Sequence, residues 1–140
     1  MKKVYLSLIA LCYINSAMYA QSSCDSALSI TAGTYTCDSI TGAPPISICT
    51  SGATVTAAQW YVYTPTENFL VTVNSNLPGN SGDSEVSIFT GSCGNLACHA
   101  GNDDAGGGSY MAASTFYVTA GTTYYIAFDN RWNSNGFNFE

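Results

Sequence analysis

The 140-residue chain predicts an all-β domain, an antiparallel β-sandwich of jelly-roll-like type. Short runs of alternating apolar and polar residues recur from residue 26 onward, the period at which side chains switch faces along a strand. Clusters of Gly, Pro, Asn and Ser separate these runs, and no stretch sustains a helical period. Charged residues make up only 9% while aromatics reach 13%, so the chain has the apolar material for a core and is not a disordered polymer.

Residues 1–20 read as a secretory signal peptide. Lys2 and Lys3 supply a basic start, and the apolar stretch 4–14 is shorter than the roughly 20 residues a membrane span requires. Cleavage after Ala20 places Met18 where a small side chain is usual, and Ala17 is the alternative last residue of the leader. Cys12 raises a lipoprotein reading, which Leu11 opposes by standing where lipid modification wants Gly, Ala or Ser. Residues 21–140 then form a single β-sandwich domain with room for a core.

The strands follow in order. Residues 26–30 carry Leu28 and Ile30 on one face, and 34–37 follow the Ala32-Gly33 turn. Residues 60–64 set Trp60 and Val62 against Tyr61 and Tyr63. Residues 69–73 alternate Phe69, Val71 and Val73 with Leu70 and Thr72, and 86–90 alternate Val86 and Ile88 with Ser87 and Phe89. Residues 115–119 set Phe116 and Val118 against Tyr117. Residues 123–129 set Tyr124, Ile126 and Phe128 against Tyr125, Ala127 and Asp129. Ala120-Gly121 between the last two is the strongest hairpin signal. Phe137 and Phe139 open a further strand that stops early, which reads as a domain cut near its last strand within a longer natural protein. The Pro-containing stretch 43–57 and the Gly-rich stretch 77–84 read as loops.

Of six cysteines, Cys12 leaves with the leader, so Cys24, Cys37, Cys49, Cys93 and Cys98 remain. In an oxidising compartment five thiols form at most two bridges and leave one over. Cys93 with Cys98 closes the shortest loop, with Gly94 and Asn95 allowing a tight turn. Cys24 with Cys49 is then the second expected bridge, and Cys37 the spare. Zinc is the weaker alternative, since only His99 and distant cysteines could complete four ligands.

Without Lys2 and Lys3, Arg131 is the only strong base against nine acids. Such a surface repels phosphate backbones, which excludes nucleic acid as a partner, and it does not favour anionic membranes. No second apolar segment offers a membrane span. Cations, neutral glycans and proteins stay open. The Ala105-Gly106-Gly107-Gly108-Ser109 run lacks the preceding strand, following helix and Lys of a phosphate loop. His99 is the only histidine, and no Gly-x-Ser-x-Gly elbow accompanies it, so a catalytic triad is not expected. Paired carboxylates for glycoside hydrolysis have only loop acids behind them.

The acids carry the chemistry. Asn102, Asp103 and Asp104 lie in a Gly-rich loop, Asp83 and Glu85 flank the start of a strand, and Asp129 ends another. Ca²⁺ takes about six to eight oxygens from such loops. Asp83, Asn102, Asp103, Asp104 and Asp129 are therefore the candidate Ca²⁺ ligands, with solvated loop acids as the plain alternative. Tyr61, Tyr63, Tyr117 and Tyr125 lie opposite the apolar faces of their strands, where they either stack on sugars or complete a two-sided core; the core reading is preferred. Trp132, beside Arg131 in an Asn-rich loop, is the better candidate for a ligand-binding ring, with Arg131 its polar companion.

In order, the chain carries Gln59-Trp60-Tyr61-Val62-Tyr63-Thr64-Pro65, then Phe89-Thr90-Gly91, then Ser92-Cys93-Gly94-Asn95-Leu96-Ala97-Cys98. Asn102-Asp103-Asp104, Ala120-Gly121-Thr122-Thr123-Tyr124-Tyr125-Ile126-Ala127 and Gly136-Phe137-Asn138-Phe139 complete the series. This order resembles the bacterial pre-peptidase C-terminal β-sandwich domain of secreted Bacteroidetes multidomain proteins, from about Cys24 onward. The resemblance implies a jelly-roll-like sandwich without catalytic residues, carried beside peptidases or adhesins, with Ca²⁺ held by loop acids in some relatives. Asp83-Ser84-Glu85 departs from the Asp-Thr often found before the central strand, and Cys37 is an extra. The expected function is a non-catalytic extracellular accessory or adhesion module of a larger secreted protein, secreted or at the cell surface. The alternative is a calcium-assisted carbohydrate-binding module. Expected partners are neighbouring domains of the parent chain and a surface glycan or protein.

Overall fold

The computed structural model describes residues 21–51 and 53–140, so the expected signal peptide lies outside the described residues. Among the described residues, nine strands follow a single 3-10 turn at Cys24–Ser26: β1 (Leu28–Ser29), β2 (Tyr35–Cys37), β3 (Ala58–Tyr63), β4 (Phe69–Asn74), β5 (Glu85–Ser92), β6 (Asn95–Asn102), β7 (Ala113–Val118), β8 (Tyr124–Asp129) and β9 (Phe137–Phe139). One layer is a five-stranded sheet ordered β1-β3-β8-β5-β6, antiparallel except for the parallel β1–β3 edge pair. The second layer contains the antiparallel pairs β2–β9 and β4–β7. Asn74 and Glu140 exchange both backbone hydrogen bonds (2.8 and 3.0 Å), which joins those pairs into the order β2-β9-β4-β7. The all-β sandwich is thus as the strand spacing predicts; a jelly-roll winding is not established by this strand order.

Alternation explains the core. Tyr61, Val86, Ile88, Tyr124, Ile126 and Phe128 from the first layer meet Val73, Phe116, Val118, Phe137 and Phe139 from the second. Each such large apolar side chain contributes about 1.5–3 kcal/mol on burial. The opposite face of the five-stranded sheet is also buried: Ala58, Trp60, Phe89 and Ala127 form a second cluster there. What covers them is Cys24 and Ala27 at the N-terminal turn and Cys49 of the long connection between β2 and β3. The Trp60 indole N–H donates to the Ala43 carbonyl at 2.7 Å. Gly42 bridges to Ala58, where a β-carbon would come 2.4 Å from the Ala58 carbonyl oxygen, so only glycine lets this cover lie down on β3. The tyrosines divide accordingly. Tyr61 is fully buried, Tyr63 and Tyr125 pack partly against the two clusters, and Tyr117 is exposed.

Three sequence expectations are corrected. The segment after Cys93 is not a disulfide-closed loop but the strand β6, hairpin partner of β5 through the two-residue turn Cys93-Gly94. Gly91 makes that turn possible, with φ +102° and a missing β-carbon that would sit 2.5 Å from the Asn95 carbonyl oxygen. The bridges are Cys24–Cys93 and Cys49–Cys98, not Cys93–Cys98 and Cys24–Cys49. Cys98 lies three residues along β6 from the turn, roughly 10 Å at strand rise and beyond disulfide reach of Cys93. Cys24 and Cys49 both belong to the cover, and each is stapled to the hairpin beneath it. Among the described residues Cys37 is the free thiol, as expected, and is buried.

Ala120-Gly121 is a turn, with Thr122 N–H donating to the Thr119 carbonyl at 3.1 Å, but it does not join hairpin partners. β7 pairs with β4, whereas β8 pairs with β3 and β5. The turn carries the chain from one layer to the other, so Phe116 and Tyr124 meet across the core with ring centroids 5.9 Å apart.

Candidate cation site

The β5–β6 hairpin sets Val86 opposite Asn102, so the residues just before β5 and just after β6 lie side by side. Antiparallel pairing of β5 with β8 sets Glu85 opposite Asp129. Acids separated in sequence are thereby gathered at one end of the five-stranded sheet. Asp83, Asp103 and Asp104 each offer a carboxylate oxygen within 4.8 Å of the others. Asp83 is partly buried, and its Oδ1 is shielded from solvent with no hydrogen-bond partner. The Asp83 loop is held by Asn133, whose side-chain amide donates to the Asp83 carbonyl.

Behind this trio lies a second, buried group. Glu85 and Asp129 are 1% and 2% exposed. Arg131 Nη1 reaches both Glu85 carboxylate oxygens at 3.4 Å and donates to Ser51 Oγ at 2.6 Å. Thr50 Oγ1 also donates to Glu85. Asp129 Oδ1 accepts the Arg131 backbone N–H at 3.0 Å, while its Oδ2 is buried without a partner. Trp132 links the two groups: the Arg131 guanidinium lies 4.5 Å from its ring, and its indole N–H donates to Asp103 Oδ1 at 2.7 Å. The ring itself is half exposed.

The electrostatics follow from one guanidinium serving five carboxylates. Burial pushes the Glu85 carboxyl up to about 7, with Asp129 and Asp103 adding repulsion and Arg131 opposing it. Burial likewise raises Asp129 to about 6, against the Arg131 backbone N–H and charge. Asp83 is raised by burial and by Asp103 and Asp104, with Arg131 again opposing. Converging oxygens, an orphaned buried carboxylate atom and a deficit of positive charge fit a hard divalent cation, completed by backbone carbonyls or water. No soft ligand stands among the three acids, which argues for oxygen-preferring ions over zinc or copper.

The expected ligands are therefore only partly brought together. Asp83, Asp103 and Asp104 converge. Asp129 sits behind them with Glu85. Asn102 is placed otherwise: its Oδ1 accepts the Ala113 N–H at 3.0 Å and ties β6 to β7. Arg131 is committed to Glu85 and Ser51, so of the expected ligand-binding pair Trp132 is the member that presents free surface. The buried Glu85–Thr50–Arg131 group was not assigned as a site from the sequence, because Glu85 alternates with Val86 exactly as a solvated strand residue would. Its burial goes with contacts from distant residues, Thr50 of the cover and Arg131 after β8.

His99 has a structural position. Ile88 pairs with Ala100 and Phe89 with Cys98, so His99 is the extra residue of a β-bulge. Its Nε2 lies 2.9 Å from the Tyr117 carbonyl, and its ring stands edge-on to Phe116 and Tyr124. The bulge thus locks β6 of one layer to β7 of the other. Among the described residues no helix is long and apolar enough to cross a membrane. No family model, curated protein or solved structure matches this chain.

Proposed function

We propose that this domain is a non-catalytic extracellular accessory module of the pre-peptidase C-terminal type, working within a longer secreted protein and holding a divalent cation, Ca²⁺ by its oxygen ligands, at one end. The observation that carries the reading is how the reactive side chains are spent. His99 braces a bulge, burial raises the Cys37 thiol to about 12, and Glu85 and Asp129 are locked around Arg131. The open chemistry is the Asp83, Asp103 and Asp104 set. Two disulfides that staple a loop cover to a hairpin suit an oxidising, extracellular setting.

A second reading, calcium-assisted glycan binding, is favoured by the half-exposed Trp132 ring, hydrogen-bonded to Asp103 of that set. A sugar could stack on the ring while the cation takes its hydroxyls.

The purified protein is expected to leave peptide and polysaccharide substrates unhydrolysed, and to melt higher in Ca²⁺ by mass action, about 2.7 kcal/mol at a hundredfold excess over Kd. Asp103→Ala should abolish the calcium response while the calcium-free melting point barely moves. Reproducible hydrolysis lost on changing a loop acid would overturn the module reading. A melting point indifferent to millimolar Ca²⁺ would remove the cation. Retention on a polysaccharide column that Trp132→Ala leaves unchanged would remove the glycan role.

A further inference from the structure

A cavity of about 380 Å³ opens between β4 and the turn 31–35 that leads into β2, floored by Tyr63, Phe116, Ile126 and Phe139. It opens beside the edge of β4 that β7 does not pair. In the order β2-β9-β4-β7, β9 separates β2 from β4, yet the hydrogen bonds that tie β4 to the end of β9 all join Asn74 to Glu140. In an antiparallel ladder the N–H and C=O of alternate residues point to the same side. Asn74 points to β9, so Thr72 and Leu70 direct their backbone groups into the gap beyond Glu140. Burial along β4 agrees. Val73, Val71 and Phe69 all face inward, but exposure rises from 4% at Val73 through partial burial at Val71 to 38% at Phe69. The core loses its cover step by step with distance from Glu140.

We infer that this slot receives an extended strand, the polypeptide continuing β9 past Glu140, laid antiparallel to β4 in the register that Asn74 and Glu140 begin. Continuity with that ladder selects the occupant. The strand enters without a new turn, satisfies Thr72 and Leu70 in sequence, and closes an edge that would otherwise template foreign pairing. The register also fixes its chemistry. Phe137 and Phe139 are buried while Asn138 and Glu140 are exposed, so the first, third and fifth residues after Glu140 turn inward. They must be apolar, lying beside Val73, Val71 and Phe69 in turn.

The inference rests on the reading of the domain as one module of a longer chain, and the test separates the two. Intact mass of the native secreted protein tests the module; amide hydrogen exchange at Leu70 and Thr72 tests the strand. In the native protein those two amides are expected to exchange about a hundredfold more slowly than in a chain ended at Glu140. Placing Asp at the third residue after Glu140 should restore fast exchange, because a carboxylate would enter the apolar slot. Equal rates in the two chains, or protection that survives the Asp, would overturn the strand while leaving the module standing. Protection in the chain ended at Glu140 that grows with protein concentration would make a second copy the occupant and overturn it too. A native protein no longer than that chain would remove both.

Discussion

Glu85 and Arg131 form a pair whose balance depends on pH. The Glu85 carboxyl is raised to about 7 and that of Asp129 to about 6 in the folded protein, above their ordinary values of 4.5 and 3.8. A group raised on folding stabilises fully below its unfolded pKa, and that stability is lost as pH climbs through the folded pKa. These two carboxyls therefore make the fold less stable from about pH 4 to pH 7. Measured in chelator, the melting point is expected to fall by more than about 10 °C between pH 5 and pH 8, and Glu85→Gln should flatten much of that slope. Arg131→Met should cost about 3 kcal/mol at pH 8, where it strands two buried carboxylates, and clearly less at pH 5. A slope unchanged by Glu85→Gln would mean that another group carries it. At this scale Asp103 and Asp104 were legible as acids crowded in a loop. The burial of Glu85 was not, since nothing local distinguishes a strand acid under a cover from one in water.

Elements were legible wherever alternation was clean. Residues 60–64, 69–73, 86–90 and 123–129 all fall within or beside strands of the expected face pattern. β6 was missed because Asn95–Asn102 contains small and polar residues with little apolar contrast, half of them exposed, and an edge strand has no second partner to demand one. A loop in place of β6 favours the shortest cysteine pairing; the strand instead carries Cys98 away from Cys93 and toward Cys49. Peptide mapping without reduction is expected to recover Cys24 linked to Cys93 and Cys49 linked to Cys98; a peptide bridging Cys93 to Cys98 would contradict the hairpin. Replacing Cys49 and Cys98 together by Ala should cost about 4 kcal/mol, through the long loop released in the unfolded chain.

For the molecule as a whole, the sandwich was visible in the strand count and the turn spacing, whereas the assignment of strands to layers was not. The Ala120-Gly121 turn has the chemistry of a hairpin, yet the apolar faces of β7 and β8 find each other across the core. Turn chemistry specifies a reversal of direction; face-to-face packing of Phe116 on Tyr124 decides which layer the next strand joins. The two-sided burial of β3 was likewise a property of the assembled molecule. Trp60 and Tyr61 are adjacent and both buried, which needs a cover that lies up to 17 residues away, at Ala43.

The Cys24–Cys93 bridge has a mechanical meaning for a domain strung between neighbours. Tension entering at one end and leaving at the other crosses from Cys24 to Cys93 through sulfur, and the 69 residue steps between them carry no load. About 240 Å of contour length is thereby withheld from stretching, at roughly 3.5 Å per residue. β1 to β5 lie within the shielded span, so pulling can unravel only the later strands. Single-molecule stretching is expected to show a short rupture when oxidised and one longer by about 240 Å after reduction. Were the domain tethered at both ends, the bridge would act as a strain limiter, letting it yield without surrendering the half that anchors its cover.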